Sequence, residues 1–113
     1  LPGVAFRPIL YKPLFGDMQG QTVQGVQIFI TDYDKVRLSE IQFHVIEAMH
    51  QLYPSHVLFS AETEERNNMF DKVCGTNFIR ENFSKQYKTD DILSYWRNNE
   101  QVFKEKSASF YLY

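Results

Sequence analysis

Cysteine is almost missing: Cys74 is the single one, which excludes an intrachain disulfide and any zinc site built on several thiolates. Long apolar runs are missing too. No stretch approaches the roughly 20 residues that span a bilayer, and no basic-then-apolar leader opens the sequence, so no membrane span is expected. There is no excess of positive charge. Twelve Lys and Arg against 14 Asp and Glu give a net charge of −2. Acids and bases are interleaved, so no basic stripe is available for phosphate contacts, and nucleic acid is not an expected partner. No Gly-x-Ser-x-Gly, phosphate-binding loop, His-Glu-x-x-His or cysteine pair occurs, so no nucleophile, phosphate or metal motif is present and no cofactor is expected. The three histidines, His44, His50 and His56, are six apart. At about 100° per residue that spacing turns successive members about 120° away from a common helix face, which rules out a three-histidine site on one helix.

What is present fits an ordinary folded domain. The 113 residues suffice for one core and are too few for two, so residues 1–113 read as a single domain. Hydrophobic residues make up 43%, while the aromatic share of 16%, with ten Phe and seven Tyr, points to an enlarged core, an interface or a sugar-binding face.

The first third reads as strands. Val4 to Tyr11 is apolar-rich, and Pro8 within it suits an edge strand or one that breaks midway. A flexible loop through Lys12-Pro13 and Gly16 to Gln21 leads to a second strand from Val23 to Asp32. There Val26, Ile28 and Ile30 alternate with Gln27, Phe29 and Thr31, placing the first set on a core face. Gly25 marks a bulge or a close backbone approach.

Helices follow. Ser39-Glu40-Ile41-Gln42 matches a capping box, after which Ile41, Val45, Ala48, Met49 and Leu52 recur at helical spacing until Tyr53-Pro54. Val57-Leu58-Phe59 reads as a short strand and Ala61 to Asn68 as a polar loop, where Glu62, Glu64 and Glu65 form a solvated charge run. Asn68 to Cys74 is a short helix stopped by Gly75, with Cys74 a packing residue. Thr76 caps the next helix, carrying Phe78, Ile79 and Phe83. Thr89, with Asp90 and Asp91 behind it, opens one long last helix that carries Ile92, Leu93, Trp96 and Phe103 along one side, with Asn99 and Glu100 interrupting it. The tail from Ser107 to Tyr113 is too aromatic for a free end. The expected class is α+β: a small antiparallel or mixed sheet from the N-terminal third, packed against three to four helices.

The polar set that stands out is on the second strand. Gln27 and Thr31 share a side, with Asp32 at the strand end, a common place for ligand-binding groups. Arg7 and Lys12 face the same region from the neighbouring strand and loop. The plainer alternative is that Gln27 and Thr31 are solvated and Asp32 caps its own turn.

Taken together, Leu1-Pro2-Gly3-Val4-x-Phe6-Arg7-Pro8, Gly25-Val26-Gln27-Ile28 followed by Thr31-Asp32, Leu52-Tyr53-Pro54, Phe70-Asp71-Lys72-x-x-Gly75-Thr76 and Tyr111-Leu112-Tyr113 resemble, in that order, the carboxy-terminal part of the exo-β-N-acetylmuramidases. These proteins were long classed as a domain of unknown function and are similar to the YbbC type of peptidoglycan-recycling enzyme. Two departures stand out: residues 60–68 do not align, and Val23 stands where relatives often show cysteine. The resemblance implies a C-terminal accessory domain of a larger two-domain glycoside hydrolase, exported from a bacterium. Its partners would be a Rossmann-like N-terminal domain that carries the catalytic carboxylate and a peptidoglycan-derived saccharide bound where the domains meet. It implies no catalytic residue in this chain. Gln27, Thr31 and Asp32 would help line the cleft, with Arg7 a candidate for the lactyl carboxylate. The competing reading is a stand-alone glycan- or protein-binding module without catalytic activity.

Overall fold

The computed structural model describes residues 1–60 and 64–112; Glu62 and Tyr113 lie outside these. The chain folds as two compact units, Leu1–Ile41 and Gln42–Tyr113. Strands precede helices, which makes the class α+β.

In the first unit, β1 (Val4–Tyr11) and β2 (Val23–Ile30) form a two-stranded antiparallel sheet. Register runs from Val4↔Ile30 to Tyr11↔Val23 without a skipped residue. Pro8 lies opposite Val26. Lacking an N–H, it fits the ladder only with its nitrogen turned away from β2, as on an edge. Gly25 marks a close approach and no bulge: a Cβ there would lie 2.8 Å from the Tyr11 ring.

Paired residues of an antiparallel ladder share a face. Phe6 and Ile28, Pro8 and Val26 therefore sit on one side, and Arg7 and Gln27 on the other. The first is the side expected to be core. Instead Val26 is 61% and Ile28 43% exposed, while Ile30 is half-buried. Alternation records that a strand has an apolar side and cannot say what covers it. Two strands alone are too few to bury one.

A 3-10 turn, Leu38–Glu40, runs straight into α1 (Ile41–Leu52). The capping box placed the helix start after Ser39, but the turn begins earlier: Glu40 donates its N–H to the Arg37 carbonyl at 3.0 Å.

The second unit holds the rest of α1, α2 (Glu64–Cys74), α3 (Phe78–Gln86), α4 (Asp90–Trp96) and α5 (Glu100–Ala108). Its core is Phe43, Ile79, Phe83, Tyr87 and Ile92, flanked by half-buried Ile46, Leu58, Phe59, Phe70, Cys74 and Trp96. Rings meet edge-on, as their quadrupoles favour: Phe43 and Trp96 at 5.0 Å, Phe43 and Phe83 at 5.9 Å. Cys74 packs as expected, and burial raises its thiol pKa, with Asp71 adding to the effect.

Four local expectations change. α2 begins at Glu64, inside the stretch read as a polar loop, because Glu64 and Glu65 fall in its first turn, where the helix dipole favours acids. Residues 57–59 form a bend and no strand; Leu58 and Phe59 reach the core from it. Thr89 does not cap α4 with its own oxygen. It is buried, and its hydroxyl and backbone N–H both donate to Glu47 on α1, at 2.6 and 3.0 Å. The long last helix is broken, since Asn99 adopts a left-handed φ of 63°, a conformation that Asn tolerates better than most residues. The break takes Phe103 off the Trp96 stripe, leaving it 69% exposed on a helix with no buried residue.

The motif Phe70-Asp71-Lys72-x-x-Gly75-Thr76 has a structural account. Phe70 packs on the core. Gly75, at φ 74°, ends α2 in a Schellman turn, with Thr76 N–H bonding to Asp71 C=O at 3.0 Å and Gly75 N–H to Lys72 C=O at 3.3 Å. Asp71 then clamps the next helix, accepting from Nε and Nη2 of Arg80 at 2.7–3.1 Å. Thr76 Oγ1 accepts the N–H of Phe78 at 3.1 Å, opening α3.

Candidate functional site

Arg7 and Gln27 are register partners, so their side chains leave the sheet together. Arg7 Nη2 donates to Gln27 Oε1 at 2.9 Å, and the guanidinium carbon lies 5.1 Å from the centroid of the Phe29 ring. Phe29, two residues from Gln27, is on the same side. Farther along that side the Tyr11 ring lies over Gly25. The result is a cation held between a neutral amide and the Phe29 ring on an exposed strip.

Thr31 and Asp32 sit past the end of β2 in a corner built on Gly3. The Gly3 carbonyl accepts the N–H of Thr31 at 2.9 Å and of Asp32 at 3.4 Å. Gly3 has a φ of 71°, and a Cβ there would collide with the Asp32 carbonyl and come within 2.9 Å of the Val36 nitrogen; only glycine fits. The Asp32 carboxylate accepts the N–H groups of Asp34 and Lys35 at 3.0 and 3.3 Å and pairs with the Lys35 ammonium at 3.0 Å. Chiefly through Lys35, and against partial desolvation, its pKa is held below the ordinary 3.8. The Asp32 carboxylate thus organises its own turn as a hydrogen-bond acceptor.

The structure therefore joins Arg7 to Gln27 and commits Asp32 to its own corner, while Thr31 enters that corner through its backbone. Sequence reading did not assign a part to Lys35, although its place three residues after Asp32 is the usual spacing of such a turn. Nor did it see that Phe29 underlies Arg7, which depends on the strand register.

The helical unit has a cleft of about 260 Å³ lined by Met49, His50, Tyr53, His56 and Leu58. The His50 ring stacks on Tyr87 with centroids 4.1 Å apart, and its Nδ1 is buried without a hydrogen-bond partner. Among the described residues, no three His, Cys, Asp or Glu side chains gather to hold a metal ion, and no helix is long and apolar enough to cross a membrane.

Comparison with known proteins accounts for the whole chain. Residues 1–113 match the family described as exo-beta-N-acetylmuramidase NamZ, C-terminal. Peptidoglycan beta-N-acetylmuramidase NamZ of Bacillus subtilis is 30% identical over all 113 residues, which cover 26% of its length. The crystal structure of a DUF1343 family protein from Bacteroides fragilis is 42% identical and superposes with a TM-score of 0.91 over the full chain, which covers 29% of it. The chain thus spans between a quarter and a third of these relatives. A family match that runs over all of residues 1–113 places this chain in the family of NamZ C-terminal domains.

Proposed function

We propose that residues 1–113 serve as one accessory domain of a peptidoglycan exo-β-N-acetylmuramidase, packed on a Rossmann-like catalytic domain and helping to line the saccharide cleft. The observation that carries this reading is the end-to-end family match combined with the chain's covering only 26% of the curated muramidase. The open apolar side of the hairpin supports it. Phe6, Leu10, Val26 and Ile28 are all more than 40% exposed, as are Leu14, Phe15 and Met18 in the β1–β2 loop, a concentration of apolar surface that suits an interdomain contact.

In this reading the catalytic carboxylate belongs to the partner domain. The strip around Arg7 and Gln27, with the Thr31-Asp32 corner, faces the saccharide. The parent acts on cell-wall fragments in the recycling of peptidoglycan and works outside the cytoplasm of a bacterium, as periplasmic or secreted protein. The test is hydrolysis of a chromogenic β-N-acetylmuramide by the full-length parent. Release of N-acetylmuramic acid by the parent, with none from residues 1–113 alone, is the expected result. A well-folded parent that releases none contradicts the reading.

A further inference from the structure

We infer that Arg7 is a carboxylate receptor, with Gln27 and Phe29 acting as its positioning residues. The inference deepens the accessory-domain reading and rests on it for the enzyme in which it is tested.

The argument starts from what Arg7 is not paired with. Its bonded partner is the neutral amide of Gln27 and its stacking partner the Phe29 ring; among the described residues no carboxylate pairs with it. Arg80 shows the other arrangement, a guanidinium neutralised by Asp71 through a bidentate pair. Asp32, past the end of β2, is already matched with Lys35.

Gln27 therefore orients the Arg7 guanidinium without cancelling its charge, and the Phe29 ring restricts its tilt. A guanidinium carries five N–H donors, of which one is used here, so about four remain in a planar fork that matches two carboxylate oxygens. Holding the fork in place removes part of the side-chain entropy that a free surface arginine loses on binding. The strip is exposed, so a carboxylate can reach it.

Two sources can supply that group: the lactyl ether of a muramic acid residue, or an Asp or Glu of the catalytic domain. The experiment separates them. In the full-length parent, Arg7→Met, Arg7→Lys and Gln27→Leu are assayed on 4-nitrophenyl β-N-acetylmuramide and on its lactyl methylamide, and the melting temperature is measured in parallel. If the substrate supplies the carboxylate, Arg7→Met lowers the acid-to-methylamide ratio of kcat/KM about 10- to 100-fold, as expected for loss of hydrogen bonds to a charged group. The effect falls mainly in KM, Arg7→Lys recovers part of it by keeping the charge without the fork, and Gln27→Leu gives a smaller loss of the same sign.

If the catalytic domain supplies it, the ratio stays level while Arg7→Met lowers the melting temperature and Arg7→Lys partly restores it. Arg7→Lys also keeps the test readable should Arg7→Met fail to fold. An Arg7→Met protein with wild-type ratio and wild-type melting overturns the inference. A wild-type parent that hydrolyses neither compound overturns the accessory-domain reading instead, and the melting arm alone then decides the role of Arg7.

Discussion

The most informative perturbation inside this chain is at Glu47, which holds α1 to the start of α4. Thr89 is 1% exposed, and both its hydroxyl and its N–H donate to one Glu47 oxygen, at 2.6 and 3.0 Å. Glu47→Ala leaves two buried donors without an acceptor. Each orphaned donor costs about 1–3 kcal/mol, but Glu47 is itself half-exposed, so water partly replaces it. A loss of about 2–3 kcal/mol is expected. Thr89→Val removes the hydroxyl alone and keeps the N–H bond, so about 1 kcal/mol is expected. The double variant should fall short of the sum, because both changes remove one shared contact.

The assay is urea unfolding followed by tryptophan fluorescence. Trp96 is the single tryptophan and packs edge-on against Phe43, so its signal reports on the helical unit. The pH dependence gives a second reading. The Thr89 hydrogen bonds lead the causes that hold Glu47 below its ordinary value of 4.5, opposed by burial and assisted by His44 and Lys88. A depressed folded-state pKa means that this stabilisation is complete above the unfolded value and is lost as pH falls through the lower folded one. Glu47→Gln should therefore flatten the acid limb of the stability curve below about pH 4.5. Glu47→Ala unfolding within 0.5 kcal/mol of wild type, or strict additivity with Thr89→Val, would refute the reasoning.

Three further predictions follow from the same geometry. Asp71→Asn removes the acceptor of a bidentate, partly buried pair with Arg80, and should cost about 1–3 kcal/mol in the Trp96 unfolding assay; Arg80→Met with Asp71→Asn should cost less than the two separate losses added. Gly75→Ala places a Cβ at a φ of 74° with open space around it, so the loss should be conformational only, about 1 kcal/mol by the same assay. Gly3→Ala meets both a positive φ and backbone atoms of Asp32 and Val36. It should open the corner, seen as faster amide hydrogen exchange at Thr31 and Val36, with little change in the exchange of Phe83 or Ile92.

Elements that depend on neighbours in sequence were legible. Val4–Tyr11 was bounded correctly because apolar residues cluster between a Gly-bearing start and Lys12-Pro13, and the end of α2 was marked by Gly75. Trp96 shares the helical stripe of Ile92, and it packs against the core. What depended on partners was not legible. The apolar side of β2 looked like core because alternation is the same whether a helix, another strand or a separate domain covers it. The Arg7–Gln27 contact needed the strand register, which the 11-residue β1–β2 loop sets. Asn99 and Glu100 show in the sequence only as an interruption of the apolar side, because a single left-handed residue leaves helical propensity on both sides intact.

In the function proposed above, these 113 residues complete an enzyme whose chemistry lies in a partner domain. The most direct measurement is the initial rate of N-acetylmuramic acid release by the full-length parent with and without residues 1–113. If the chain packs on the catalytic domain and lines its cleft, removing it should lower the rate about 100-fold or more, the scale at which misplacement of binding groups acts. A shortened protein that folds and keeps the full rate on the same muramide would contradict the account.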